Sequence, residues 1–585
     1  MIKLMKFFNK QDWIKIILCI ICVIGGVWLE LKMPDYMSEI TVLVQTEGSK
    51  MNDILINGGY MLLCAFGSLI FIVLTGYLTA IIASDFSMKI RKAIFDKVED
   101  MSMQEIKQFQ ASSLITRTTN DVTQVEMLIG MGLNLLIKAP ITAVWAITKI
   151  LNKSETWSII TGLAIVILLA VIGTLMKIVV PRFKIVQKLT DKLNGITREN
   201  LNGIRVVRAF NAEKYEEKKF DNINDDLTDT LTYNQKKFAI MMPVMNMVMY
   251  GVTLAIYFTG AYLIKDALIA NKVAIFGNMI VFSSYAMQVI MSFLMLAMIF
   301  MILPRAQVSA KRINEVLDTK ITIKEGTFDG ETKEKGIVEF KNVAFKYPDA
   351  DEYVIKDISF KAKKGETIAF IGSTGSGKST LINLVPRFYD TTEGEVLVDG
   401  VNVKEYKLES LMNKLGYVPQ KAVMFNGSVN YNVSYGDCGK EITQEEIKKA
   451  IKVAQGEDFV QKMDDKYETI IAQGGTNISG GQKQRLAIAR AIAKTPEIYI
   501  FDDSFSALDY KTDSTLRKTL KEYTKDATSL IVAQRIGTIM NADKIIVLDD
   551  GKCVGMGTHK ELLKTCEVYK QIALSQLTKE ELENA

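Results

Sequence analysis

The sequence predicts an α-helical six-span transmembrane domain followed by an α/β domain built around a phosphate-binding loop. Three observations carry this. Six apolar runs, each long enough to cross a bilayer at about 20 residues per span, precede residue 305. Beyond residue 320 the composition becomes that of an ordinary soluble domain. That second region contains Gly372–Thr380, GSTGSGKST, between an apolar strand-like run, Thr367–Ile371, and an apolar helical run, Leu381–Leu384. The boundaries read as 1–319 for the membrane domain, 320–336 for a linker and 337–585 for the α/β domain.

At 585 residues the chain exceeds what one core supports. It is 49% hydrophobic with a net charge of +5. No Arg/Lys stripe interleaved with aromatics is present, which argues against nucleic acid as a partner. Of six cysteines, Cys19 and Cys22 form C-x-x-C inside an apolar run. Redox or metal chemistry needs an electropositive or polar setting, so they read as small residues on a membrane helix. The one histidine, His559, excludes a His-rich metal site.

The first span, Trp13–Leu31, follows Lys3, Lys6 and Lys10 and is too long for a cleaved leader. The others cover Ile54–Ile82, Val125–Ile147, Trp157–Val180, Phe238–Ile264 and Ala274–Leu303. The connections Glu39–Asp53, Leu151–Glu155 and Lys265–Lys272 are short. Phe86–Gln124 and Pro181–Lys237 are long and rich in Lys and Arg, so they and both chain ends face the cytoplasm. Apolar residues at three- and four-residue spacing in Ser87–Met101 and Val186–Val207 predict that the membrane helices continue as cytoplasmic arms. Short transverse helices are expected at Phe109–Leu114 and Phe210–Tyr215. Within the spans, Lys149 and Lys177 are expected to snorkel, and Lys138 to face a cavity. The methionines crowding the last two spans, among them Met245, Met247, Met291 and Met298, suit core or lipid-facing packing, or a surface for a lipophilic compound.

In the α/β domain, strands are predicted at Ile337–Phe340, Val343–Tyr347 and Ile355–Phe360. Tyr347 offers a ring for stacking on a base. In the phosphate loop, Gly372, Gly375 and Gly377 allow the tight turn, and with Ser373, Thr374, Ser376 and Thr380 they present main-chain N–H groups. Lys378 reaches the terminal phosphates and the Ser379 hydroxyl is a ligand for Mg²⁺. Gly394–Val398 is another strand, ending in an Asp399-Gly400 turn. Gln420 follows the strand-like Leu415–Pro419. Ser479, Gly480, Gly481 and Gln482 open a helix that runs through Ala493. Ile498–Asp502 is a buried strand ending in the carboxylate expected beside Mg²⁺. Asp503 and then Asp509, in SALD, come next. Thr528–Ala533 is a strand leading to Gln534. The chain therefore binds a nucleoside triphosphate with Mg²⁺.

This ordered set, with Tyr347, GSTGSGKST, Gln420, ISGGQ, IYIFDD and SALD behind six spans and long arms, resembles an ATP-binding cassette (ABC) exporter half-transporter of the B-family, multidrug type. SLITRTTNDV (Ser113–Val122) and ENLNGIRVVRAFN (Glu199–Asn211) resemble that family's intracellular loops. The resemblance implies an ATPase-coupled, multi-pass protein of the cell membrane that moves a small lipophilic substrate outward by alternating access. It also implies a dimer in which each nucleotide lies between the phosphate loop of one chain and the ISGGQ of the other, and metal ligation by Ser379, Gln420 and Asp502.

Three departures stand out. The family places glutamate, the general base, where this chain has Asp503. It places histidine where this chain has Gln534. Its G-E-R-G before the signature is Ala472-Gln473-Gly474-Gly475 here. The pattern resembles the degenerate-site subunit of a heterodimeric exporter, whose partner half-transporter supplies glutamate and histidine at the matching positions. Alternatives are a homodimeric lipid flippase or peptide exporter, and an ATP-gated channel or sensor.

Overall fold

The computed structural model describes residues 1–46, 48–151, 155–436 and 438–577. The chain divides into two compact units, Met1–Glu99 with Ser112–Asp318, and Asp100–Ala111 with Thr319–Ala585.

The first unit is helical. Its helices are α1 (Lys10–Gln45) and α2 (Met51–Glu99), then, past α3 (Met103–Phe109) of the second unit, α4 (Ala111–Thr116), α5 (Val122–Leu151), α6 (Glu155–Ala209), α7 (Glu213–Ala239), α8 (Met241–Asp266) and α9 (Ile269–Leu317). Among the described residues, six helices are long and apolar enough to cross a membrane. The arms are continuous with the spans, as the periodicity predicts. Gly195 and Gly203 do not interrupt α6, whose 55 residues extend about 80 Å at 1.5 Å per residue. Helix α1 extends past the predicted span to Gln45 and takes Pro34 inside it, so the connection predicted at Glu39–Asp53 is far shorter. Residues 152–154 of the connection predicted at Leu151–Glu155 lie outside the described residues.

The turning points differ from expectation. At Phe109–Leu114, where one short helix is expected, two meet: α3 closes at Gln110, which has a φ of 58°, and α4 follows over Ala111–Thr116. At Phe210–Tyr215 the chain reverses in a tight turn, with Asn211 at φ 51°, instead of forming a separate helix. Between α4 and α5 the backbone winds as a π-helix over Arg117–Asp121. Asp121 there accepts from Ser309 Oγ at 2.8 Å and pairs with Arg312 Nε at 3.3 Å, which ties the arm to the base of α9.

Helices α1 and α2 approach closely because Gly25 has no side chain. A Cβ there would lie 2.9 Å from the Phe71 ring. Cys19 and Cys22 are buried free thiols on α1, as their apolar setting predicts. Of the span methionines, Met245 is packed in the core of this unit, whereas Met247 is exposed.

Two lysines of the spans are paired, while Lys177 is exposed. Lys138 meets Glu30 of α1 at 2.8 Å, and Lys149, expected to snorkel, meets Asp35 at 2.8 Å. Tyr285 of α9 donates to the same Asp35 carboxylate at 2.8 Å and to the Leu31 carbonyl at 2.8 Å. A charge inside a membrane persists when it is paired. Replacing Lys138 with Met is expected to strand Glu30 and destabilise the domain by about 3–5 kcal/mol. The double change Lys138→Met with Glu30→Gln should recover most of that. Thermal unfolding in nanodiscs, followed by tryptophan fluorescence, measures both.

The second unit contains two main sheets. Its strands are β1 (Val338–Phe345), β2 (Ile355–Ala362), β3 (Thr367–Gly372), β4 (Glu393–Val398), β5 (Val401–Asn402), β6 (Leu415–Val418), β7 (Gly427–Ser428), β8 (Ile470–Ile471), β9 (Ile498–Asp502), β10 (Thr528–Val532), β11 (Lys544–Asp549) and β12 (Lys552–Gly557). One sheet has the order β2-β1-β4-β5, the other β12-β11-β3-β10-β9-β6, and β7 pairs with β8. The strands predicted at Ile337–Phe340 and Val343–Tyr347 are one strand, β1. Its register shifts between Phe340 and Val343, where Asn342 takes a φ of 47°. The Asp399-Gly400 turn forms with both φ values positive. The segment predicted as a linker is hydrogen-bonded into this unit: Phe328 N donates to Glu405 O at 2.8 Å, and Lys407 N donates to Phe328 O at 2.8 Å.

In the six-stranded sheet, β11, β3, β10, β9 and β6 run parallel. Alternate residues feed opposite faces. Ile368, Phe370, Ile498 and Ile500 enter one core, while Ala369, Ile371, Tyr499 and Phe501 enter the other. A sheet covered on both sides reads in sequence as continuous apolar runs, and that is why its strands were legible.

Candidate nucleotide site

In a parallel sheet all strands end on the same edge, and loops beyond that edge hold ligands. The adjacent strands β3, β10, β9 and β6 carry at their ends the phosphate loop, Gln534, the pair Asp502 and Asp503, and Gln420. Four segments, spread from Gly372 to Gln534, thus converge because of strand order alone.

The phosphate loop is shaped by its glycines. Gly372 has a φ of 158°, and a Cβ there would lie 2.0 Å from the Leu548 carbonyl. Gly377 has a φ of 92° and introduces α10 (Lys378–Ile382). Lys378 folds back onto its own loop, with Nζ donating to Gly372 O at 2.9 Å, Ser373 O at 2.6 Å and Ser376 Oγ at 3.2 Å. Burial holds its ammonium below the usual lysine range, against the pull of Asp503 and Asp502. Such a desolvated cation is poised to exchange carbonyl partners for phosphate oxygens. Gly375 has a φ of 87° with open space around it, and Thr374 lies on the same loop.

Ser379 Oγ donates to Asp502 Oδ1 at 2.6 Å, and Gln420 Nε2 donates to Asp503 Oδ2 at 3.3 Å. A hydroxyl, a carboxylate and an amide suit a hard cation that also keeps phosphate and water ligands. Among the described residues no group of three or more His, Cys, Asp or Glu could hold a metal by itself. A divalent ion here would therefore be completed by the nucleotide. Residues and group fit.

Asp503 is the most constrained of these residues. Its φ is 45°, a region aspartate enters more readily than most side chains. Its N–H donates to Val532 O at 3.0 Å, and Gln534 Nε2 donates to its Oδ2 at 2.9 Å. Burial raises the Asp503 carboxyl above the usual aspartate value, opposed by hydrogen bonds from Gln420 and Ser506 and by Lys378 and Arg535. Asp502 is raised too, chiefly by burial. Only an ionised Asp503 can accept a proton, so hydrolysis that depends on it should fall on acidification at a higher pH than an exposed aspartate would give. Gln534 does not titrate. A pH–rate profile of hydrolysis at this chain's own phosphate loop is thus expected to have an acid limb from the carboxylate and none near 6.5. Gln534→His should add that limb.

Tyr347 joins this edge, its hydroxyl 3.0 Å from that of Thr380. Lys107 of α3 lies 5.2 Å from the Tyr347 ring centroid and 5.4 Å from that of Tyr389. A hydrogen bond with the Tyr389 hydroxyl raises its affinity for its proton. Neither Lys107 nor Tyr389 carries a motif, and only the fold reveals them.

The remaining predicted site residues engage locally. Ser479 caps the helix Gly480–Ala493 in a capping box with Gln482: Gln482 N donates to Ser479 Oγ at 3.3 Å, and Ser479 N donates to Gln482 Oε1 at 2.8 Å. Ser479 and Gly480 are exposed, with Gly481 behind them. The preceding Ala472–Gly475 segment turns with Gly474 at φ 68°, and its carbonyl accepts from Lys483 Nζ at 2.9 Å. Asp509 is exposed and caps the helix Tyr510–Tyr523, accepting from Thr512 N at 3.0 Å. His559 lies elsewhere, buried, with Nδ1 2.6 Å from the Tyr569 hydroxyl.

A phosphate loop on a parallel sheet, joined in one chain to six membrane-crossing helices, defines an ATP-driven membrane translocase. The family of the "ABC transporter transmembrane region" matches residues 16–313, and that of the "ABC transporter" nucleotide domain matches residues 355–506. The chain belongs to the ABC transporter family, as an exporter half-transporter that is integral to the membrane with a cytoplasmic nucleotide domain.

It is 40% identical to an uncharacterized ABC transporter ATP-binding protein of Mycobacterium tuberculosis, over 88% of this chain and 87% of that one. It is 32% identical to the ATP-dependent lipid A-core flippase of Pseudomonas aeruginosa, over 81% of this chain and 77% of that one. Its fold is similar to that of a bacterial Atm1-family ABC exporter with ATP bound, at a TM-score of 0.82 and 23% identity, covering 97% and 99% of the two chains.

Proposed function

We propose that this chain is the degenerate-site half of a heterodimeric exporter of small lipophilic compounds. The observation that supports this is the Gln534–Asp503 contact at 2.9 Å. The carboxylate is one methylene shorter than glutamate, a difference of about 1.5 Å in reach, and misplacement of about 1 Å costs about 10²-fold in rate. The neighbouring amide donates a hydrogen bond but does not exchange a proton at neutral pH. Two impaired groups touching each other describe a site that holds ATP and turns it over slowly.

In this reading, main-chain N–H groups of Gly372–Thr380 and Lys378 hold the phosphates, and Tyr347 holds the base. Ser379, Asp502 and Gln420 would hold Mg²⁺, which neutralises charge on the terminal phosphates when bound. Asp503, steadied by Gln420 and Gln534, orients water poorly. The exposed Ser479–Gln482 segment completes the partner's site, where glutamate and histidine drive fast hydrolysis. Segment 100–111 belongs to the same compact unit as the nucleotide domain, so it is suited to carry cassette movement into α2. The arm tip leaves Phe210 78% and Tyr215 70% exposed, an apolar pair that suits docking on the second half-transporter.

A second reading, a homodimeric lipid flippase, is favoured by the flippase relatives. Reconstitution of this chain alone separates the two, with ATPase and movement of a lipophilic dye and a fluorescent lipid measured together. The heterodimer reading expects ATPase near background and neither cargo moved. Brisk ATPase with lipid movement establishes the flippase, and brisk ATPase with dye movement a homodimeric exporter.

A further inference from the structure

The loop that carries Gln534 is clasped by a side chain about 40 residues further along the chain. Gln576 lies just past the helix Glu567–Leu574. Its Oε1 accepts from Ile536 N at 2.8 Å, and its Nε2 donates to Gln534 O at 2.8 Å. One amide thus satisfies a main-chain donor and a main-chain acceptor on either side of Arg535. Only one orientation of the amide does both.

The clasp has a firm base and a sensitive target. Tyr569 and Ala573 of the helix Glu567–Leu574 are buried in the core that also takes Ala369 and Ile371 of β3. Gln576 N donates to Ala573 O at 3.1 Å. The sheet that carries the phosphate loop therefore sets where Gln576 stands. Beyond the clasp, Gln534 Nε2 reaches Asp503 at 2.9 Å, and Arg535 Nη2 donates to Ser506 O at 3.5 Å. A loop with two anchored main-chain groups has little freedom, so the Gln534 amide keeps one direction. Without the clasp the Gln534 carbonyl and the Ile536 N–H lose these partners, and the loop keeps its side-chain contacts to Asp503 and Ser506, its continuation from β10 and the helix Ile536–Ile539.

We propose that Gln576 is a positioning residue for the nucleotide site. Through its two main-chain bonds it aims Gln534 at Asp503, and so sets how long nucleotide stays on this chain's phosphate loop. The proposal rests on the reading that Gln534 faces the bound nucleotide.

The test uses the full-length chain in its native membrane assembly. Azido-ATP is bound and chased with ATP, then photo-crosslinked at intervals, and retention is read by mass spectrometry on peptides of this chain alone. Gln576→Ala is expected to shorten retention roughly five- to tenfold, the range for losing two modest hydrogen bonds. Gln576→Glu keeps the acceptor but opposes the Gln534 carbonyl, and should shorten retention as well. In a Gln534→Ala background, Gln576→Ala should add nothing, because its effect runs through Gln534.

Equal effects of Gln576→Ala in both backgrounds would mean general support of the fold and would overturn the proposal. Unchanged retention in Gln576→Ala and Gln576→Glu, with Gln534→Ala altered, overturns the clasp alone. Unchanged retention in Gln534→Ala removes the reading on which the clasp rests. Thermal unfolding of each variant identifies loss of fold, and if Gln576→Ala unfolds, Gln576→Glu decides.

Discussion

Serine 479 is expected to matter far more than Asp503. In the assembled transporter, Ser479→Ala should lower steady-state ATPase by about 10²-fold, the usual loss when one preorganised donor to transferring phosphate is removed. Asp503→Ala should leave turnover within about twofold, because a group that already contributes little to the rate-carrying site has little to lose. The asymmetry follows from the division of labour proposed for the two composite sites. Ser479 is exposed at a helix N-terminus and is offered outward, while Asp503 is buried at this chain's own sheet edge. Ser479→Ala also removes a helix cap worth about 1 kcal/mol, so Ser479→Thr, which keeps a capping hydroxyl, serves as the control for folding. Equal losses in Ser479→Ala and Asp503→Ala would mean that both sites carry turnover and that the assignment is wrong. The measurement is ATPase of the pair in lipid nanodiscs at saturating ATP.

The converse change should repair the site. Asp503→Glu together with Gln534→His is expected to raise hydrolysis at this chain's phosphate loop by about 10²-fold, read in a Ser479→Ala background that silences the other site. Either change alone should gain much less. The two side chains meet at 2.9 Å, and groups in one contact act as a unit. The lengthened carboxylate must still fit where Gln420 and Gln534 now approach Asp503. A gain from Asp503→Glu alone equal to that of the pair would show that length, and not the proton-exchanging neighbour, limits the site.

Much of this was legible in the residues. The phosphate loop announces itself because main-chain cradling of phosphate needs glycines at fixed offsets, and lysine and serine at others. The β3 and β9 strands are legible because both of their faces are buried. The arms are legible because their apolar spacing persists after the bilayer run ends. What escaped depends on contacts between distant segments. Gln576 and Lys107 look like ordinary surface residues until the fold brings them to Gln534 and Tyr347. The pairing of Lys149 with Asp35 escaped because hydropathy counts charges but does not pair them. The merging of two predicted strands into β1 turned on the backbone at Asn342, where a polar residue reads as a break but takes a left-handed conformation within one bulged strand. The π-helix at Arg117–Asp121 has no sequence period of its own.

In the proposed heterodimer the nucleotide on Gly372–Thr380 persists while its counterpart turns over. Cryo-electron microscopy of the purified transporter, frozen during steady-state hydrolysis with Mg²⁺, tests it most directly. Two different chains are expected, with an intact γ-phosphate beside Lys378, Asp503 and Gln534, and ADP or a cleaved phosphate beside the phosphate loop that faces this chain's Ser479. Two copies of this chain with the same mixture of ATP and ADP at both sites would contradict it.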